Sequence, residues 1–158
     1  MSKKAEIFQE YLTSHNLTMF TRQDMNDELK TSVFRSAFSV EGQNIPFIIV
    51  VDESAFSVMQ VQIASSVVND TNKAKVYEAI NNWNITLKPF KYVVDNDGSL
   101  ILTCCMMNPD GKMDGDQANA MMNIILNYLT KEYKNILSAV KGYSESCIGE
   151  SHEYCYRY

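Results

Sequence analysis

The sequence predicts an α+β domain ordered helix, three strands, helix, two strands, helix, with a mainly antiparallel sheet of about five strands packed by the helices. Three observations predict it. Apolar residues recur at three-and-four spacing near the start, in the middle and over a long stretch near the end. Between these stretches the pattern changes to period two, the signature of half-buried strands. The strand-like runs are joined by short turns, which makes a meander rather than a crossover topology.

Ile7, Phe8, Tyr11, Leu12 and His15 fall on one stripe of a first helix spanning roughly residues 2–15. Residues 16–30 read as a polar connection. Phe34, Phe38 and Val40 then alternate with Arg35, Ala37 and Ser39, giving a first strand. Glu41-Gly42-Gln43-Asn44 is a turn, and Ile45 to Val51 is apolar on both faces, as a central strand would be. A third strand carries Met59, Val61 and Ile63 on one face, with Gln60 and Gln62 on the other. Val76, Tyr77, Ile80 and Trp83 share a face of a second helix between Asn72 and Asn84, Trp83 with Val76 and Ile80 on its buried side, with Asp70 or Thr71 as its cap. In that arrangement Asn82 and Asn84 lie away from the core. Two strands, Phe90 to Val94 and Leu100 to Met107, flank the Asp95-Asn96-Asp97-Gly98 hairpin turn. Asp114 with Gln117 starts the third and longest helix, whose face runs through Ala118, Met122, Ile125, Leu129, Tyr133, Ile136 and Val140. Lys141 suits the negative end of the helix dipole and Gly142 suits a left-handed stop. Residues 1–142 thus form one domain, and residues 143–158 a Ser-, Glu- and Tyr-rich tail without periodicity.

Composition narrows the functional classes. The chain has 158 residues, 46% hydrophobic and 21% charged, enough apolar surface for one core. Fourteen Lys+Arg against nineteen Asp+Glu give a net charge of −5, and no basic cluster is present, so nucleic acid is not an expected partner. Glu6, Gln9 and Glu10 interrupt the start, so no secretory signal is expected; the apolar run Ile45 to Val51 is far short of a membrane span. A cytoplasmic location follows as the expectation, with Cys104, Cys105, Cys147 and Cys155 as reduced thiols and the Asn-x-Thr triplets at Asn16, Asn69 and Asn84 as chance matches.

The chain resembles bacterial YbjN-domain proteins, relatives of the class I type III secretion chaperones. The resemblance is carried by Ile7-Phe8-Gln9-Glu10-Tyr11-Leu12 in the first helix and by Ile80-Asn81-Asn82-Trp83-Asn84 at the end of the middle helix. It continues through the stretch from Phe90-Lys91-Tyr92-Val93-Val94 to Asp95-Asn96-Asp97-Gly98-Ser99-Leu100, and covers about residues 5–140. It implies a homodimer-forming, protein-binding fold of chaperone-like or regulatory role, with a protein or peptide segment as partner and with no cofactor and no catalytic residue to carry over. Sheet edges outside a closed barrel also need covering, which supports the homodimer.

Other chemistry is thinly represented. Only two histidines occur, His15 and His152, and no nucleophile elbow or phosphate-binding loop is present, so no enzyme activity is expected. Cys147, His152 and Cys155 are zinc-type ligands, but their spacing fits no finger and a fourth ligand is missing unless Cys104, Cys105 or a second chain supplies it. No metal site is assigned; a ligand- or metal-responsive regulator acting through this tail is the alternative function. The acidic turns at Asp95 to Gly98 and Asp110 to Asp116 lack calcium-loop spacing and read as a hairpin and a helix cap. Met59 and Met122 suit the core. Met107, Met113 and Met121 are the candidate protein-binding residues, since methionine serves adaptable surfaces as well as cores.

Overall fold

A computed structural model describes residues 2–145, with side chains described to Gly142. The order is α1 (Lys3–Ser14), β1 (Thr21–Asp24), β2 (Ser32–Val40), β3 (Gln43–Val51), β4 (Phe56–Ala64), α2 (Lys73–Thr86), β5 (Lys91–Val94), β6 (Leu100–Met107) and α3 (Gly115–Glu145). The α+β class and the element order stand as expected, with one strand more. Residues 16–30 are not all connection: Thr21–Asp24 pairs antiparallel with β2, giving a six-stranded sheet in the order β1-β2-β3-β4-β6-β5. Thr-Arg-Gln-Asp offers no apolar alternation because β1 is an exposed edge strand. Its hold comes from the backbone ladder and from Arg22, which bonds Glu6 of α1 at 2.7 Å and Asp24 at 2.8 Å.

Every neighbouring pair in the sheet is antiparallel. The β2–β3 connection is a two-residue turn with Glu41 at φ 51° and Gly42 at φ 78°, the doubly positive geometry that matches strand twist. At the β5–β6 hairpin Gly98 takes φ 80°, and a Cβ there would lie 2.2 Å from the Val68 carbonyl oxygen. No side chain other than hydrogen fits that approach.

Helices and sheet share one core. Phe34, Phe38, Ile45, Phe47, Ile49, Met59, Val61, Leu100, Leu102 and Met106 lie on one sheet face and are buried with Phe8 and Leu12 of α1, Val76 and Ile80 of α2, and Ile125, Leu129 and Ile136 of α3. Edge-on packing of Phe8 against Phe34, 4.9 Å between centroids, seats α1. Lys4, 2% exposed, donates from Nζ to the carbonyls of Ser54 and Phe56 at 2.8 and 2.7 Å, fixing the start of α1 to the β3–β4 turn. Burial holds its ammonium below the ordinary lysine range, with Asp52 and Glu53 opposing that shift.

Four local expectations are corrected. Tyr77 does not share the inward face of Val76 and Ile80 but is 52% exposed. Asn72, not Asp70 or Thr71, stands at the N-cap position of α2, but its side chain makes no cap hydrogen bond; its amide serves the preceding loop, accepting from Asn69 N–H and donating to Val67 O. Asn84 does not point to solvent; its amide holds the backbone of β5. The stop at Gly142 is absent: α3 runs on to Glu145, past the 1–142 boundary, and Gly142 is not among the glycines with positive φ. A glycine inside a helix costs about 1 kcal/mol but leaves the backbone ladder intact, so the helix passes through it.

Candidate functional site

Cross-strand register builds a surface that no single strand reveals. Residues directly opposite one another share a sheet face, so the pairings trace rows across the strands. On the face away from the helices, one row reads Gln23, Val33, Val50, Val58, Cys105, running from β1 to β6. Phe56 and Met107 stand opposite each other one step beyond it, 49% and 64% exposed. On the other side the next row reads Thr21, Arg35, Ile48, Gln60, Thr103, Lys91 across all six strands. Further along come Ala37 with Pro46, and Ile101 with Val93, the last 40% exposed.

No described helix covers this face. β3 therefore departs from the expectation of a strand buried on both sides: Ile45, Phe47, Ile49 and Val51 are buried, while Ile48 and Val50 are only half-buried on the open side. Among the described residues, half-buried Val50 and Val58 and exposed Phe56 and Met107 form the kind of apolar patch that marks an interaction surface.

The three methionines expected on a binding surface separate. Met107 lies on the open face, whereas Met121 is half-buried against the core and Met113 is 3% exposed within it. Strand alternation could have assigned Met107; the loop holding Met113 has no period from which its direction could be read. Cys104 and Cys105 divide as alternation requires, Cys104 buried with its thiol pushed up to about 11 by desolvation, Cys105 exposed in the apolar row. Cys147, His152 and Cys155 lie outside the described residues. Among the described residues no group of three His, Cys, Asp or Glu could hold a metal ion. No helix among them is long and apolar enough to cross a membrane.

At the Met107 end of the face, buried Asn108 accepts from Ser57 Oγ at 2.7 Å and donates its backbone N–H to Ala55 O at 2.7 Å. Its side-chain Nδ2 has no protein partner. The opposite rim, at β5, is closed by α2. Asn84 Nδ2 donates to Tyr92 O at 3.0 Å, Asn84 Oδ1 accepts from Tyr92 N–H at 2.7 Å, and Lys91 Nζ donates to the α2 carbonyls of Asn84 and Leu87. That edge is occupied, so the free surface is the face rather than the β5 edge.

No protein-family model matches the chain, and no curated protein matches it significantly. Among solved structures it is similar to the Yersinia pestis type III secretion chaperone SycH, determined in complex with a stable fragment of YscM2. The two share 13% identity over 80% of this chain and 96% of that one, with a TM-score of 0.47.

Proposed function

We propose that this chain is a non-enzymatic protein-binding module, chaperone-like or regulatory, that receives its partner on the open face of the sheet. One observation carries the reading: Val50, Val58 and Cys105, extended by Phe56 and Met107, are left uncovered by the described helices, while the opposite face is packed by them and Val33, at the β2 end of the row, is itself buried. Met107 is the one of the three methionine candidates whose exposure suits this role. The YbjN-type assignment and the homodimer belong to the same proposal and rest on the sequence resemblance. Light scattering of the dimer should give about twice the 18.0 kDa chain mass.

The test is affinity capture from the native cell with mass spectrometry, run in parallel with wild type and Val58→Asp. A partner retained by wild type and lost by a folded Val58→Asp supports the reading. A partner retained equally by both places binding elsewhere and removes the basis for this site.

A further inference from the structure

We infer that the occupant of the open face is an acidic amphipathic helix, its apolar stripe on Val50, Val58 and Cys105 and its carboxylates against Arg35 and Lys91; this rests on the protein-binding reading of the same face. Backbone chemistry selects the helix. A docked strand must pair its N–H and C=O groups with a sheet edge, and a sheet face presents none to it. A helix satisfies its own backbone and brings only side chains, the way helices already pack on the opposite face.

Charge selects the acid. The chain carries −5 in total, yet among the described residues no Asp or Glu stands on any paired row of this face, where the charged residues are Arg35 and Lys91. Asp52 and Asp95, which follow the open-face positions of β3 and β5 in the chain, serve their own turns: Asp52 Oδ1 accepts from Ser54 N–H and Oγ–H, and Asp95 Oδ1 from Asp97 and Ser99 N–H. Arg35 is exposed and its side chain bonds Gln23 Oε1 at 3.3 Å, while Lys91 bonds carbonyls, so among the described residues no carboxylate pairs with either cation.

Register also argues against a second copy here. Arg35 and Lys91 sit at the β2 and β5 ends of one row, four strand steps or about 19 Å apart. A face-to-face two-fold centred on that row along the strands sets Arg35 over the partner's Lys91, and one along the row sets like on like. Both juxtapose cations, and like charges across an interface oppose association. A helix crossing the strands covers the same 19 Å with about 13 residues, so one short helix reaches both cations while lying on the apolar row two residues away.

The probe is a designed 18-residue amphipathic helical peptide with Leu along one stripe and Glu flanking it, compared with a counterpart in which Lys replaces Glu. Binding to the full chain is read by fluorescence anisotropy, and the contact surface by amide chemical shifts. The expected result is that the Glu peptide binds at least tenfold tighter than the Lys peptide and shifts amides of the open face. Arg35→Glu should weaken the Glu peptide about fivefold, and Cys105→Asp, at an exposed position of the face, should weaken it further. Equal binding of the two peptides, both lost in Cys105→Asp, overturns the acidic partner and leaves the protein-binding reading standing. Binding unaffected by Cys105→Asp, or none of either peptide with no shift on the face, overturns both. Self-association of wild type abolished by Cys105→Asp puts a second copy on the face and likewise overturns the inference.

Discussion

Asn84→Ala is the substitution that most directly tests how this sheet ends. Asn84 lies in the last turn of α2, and its carboxamide presents β5 with the donor and acceptor that a seventh strand would supply, at 3.0 and 2.7 Å from Tyr92 O and N. Each hydrogen bond is worth about 1 kcal/mol net. Losing both costs roughly 2 kcal/mol, reduced toward 1 where water reaches the half-buried site. In a chain of this length each kcal/mol moves the thermal midpoint by about 2–4 °C, so the expected loss is roughly 2–8 °C. Asn84→Asp keeps the acceptor and loses the donor; the neutral acid regains it, so the difference from wild type should narrow as pH falls below about 4. Thermal unfolding by circular dichroism supplies the midpoints, and hydrogen exchange follows the Tyr92 amide. A midpoint moved by less than about 1 °C in Asn84→Ala, with unchanged exchange at Tyr92, would refute the idea that Asn84 holds the edge.

Gly98→Ala should be severely destabilising, because the residue sits at φ 80° and its Cβ would press on the Val68 backbone, which cannot rotate away; left-handed strain and the clash together amount to about 2–5 kcal/mol, readable in urea denaturation. Trp83 is half-buried and packs on Tyr92 with 5.3 Å between ring centroids, so Trp83→Ala should cost about 2 kcal/mol, less than the 3–5 of a fully buried ring; its emission should be partly blue-shifted and partly quenchable, and fully water-like emission would contradict that packing. Asp24 is held below its ordinary pKa, first by the Ser32 hydroxyl and then by Arg22. Its folded pKa lies under the unfolded one, so its contribution is complete above about pH 4 and fades as pH falls through the folded value; Asp24→Asn should lower stability at pH 7 and flatten the acid limb, and an unchanged pH profile would count against the Glu6–Arg22–Asp24 linkage.

Much of the architecture is written locally. The 3.6 and 2 periods place α1, α3, β2, β4 and β6 because a buried face must repeat with the geometry of its own element, and turn chemistry at Glu41-Gly42 and Asp95-to-Gly98 joins strands that can only run antiparallel. Asp114 caps α3 by accepting from Gln117 N–H at 3.0 Å, as its spacing from Gln117 implies. Three features needed the assembled chain. β1 has no apolar signal, since an edge strand is held by a neighbour's backbone and by Arg22 rather than by burial. Asn84 could be read only as polar, because its partner Tyr92 belongs to the next element and their meeting depends on how α2 returns to the sheet. The apolar run of β3 gives the same pattern whether both its faces are covered or one, as Ile48 and Val50 show. Whether a second layer exists depends on which side of the sheet the helices pack, and register then turns single residues on four strands into a surface. Hydrophobic periodicity reports that a side chain faces away from water in some state of the molecule; only the tertiary structure decides whether the chain itself or a partner provides the cover.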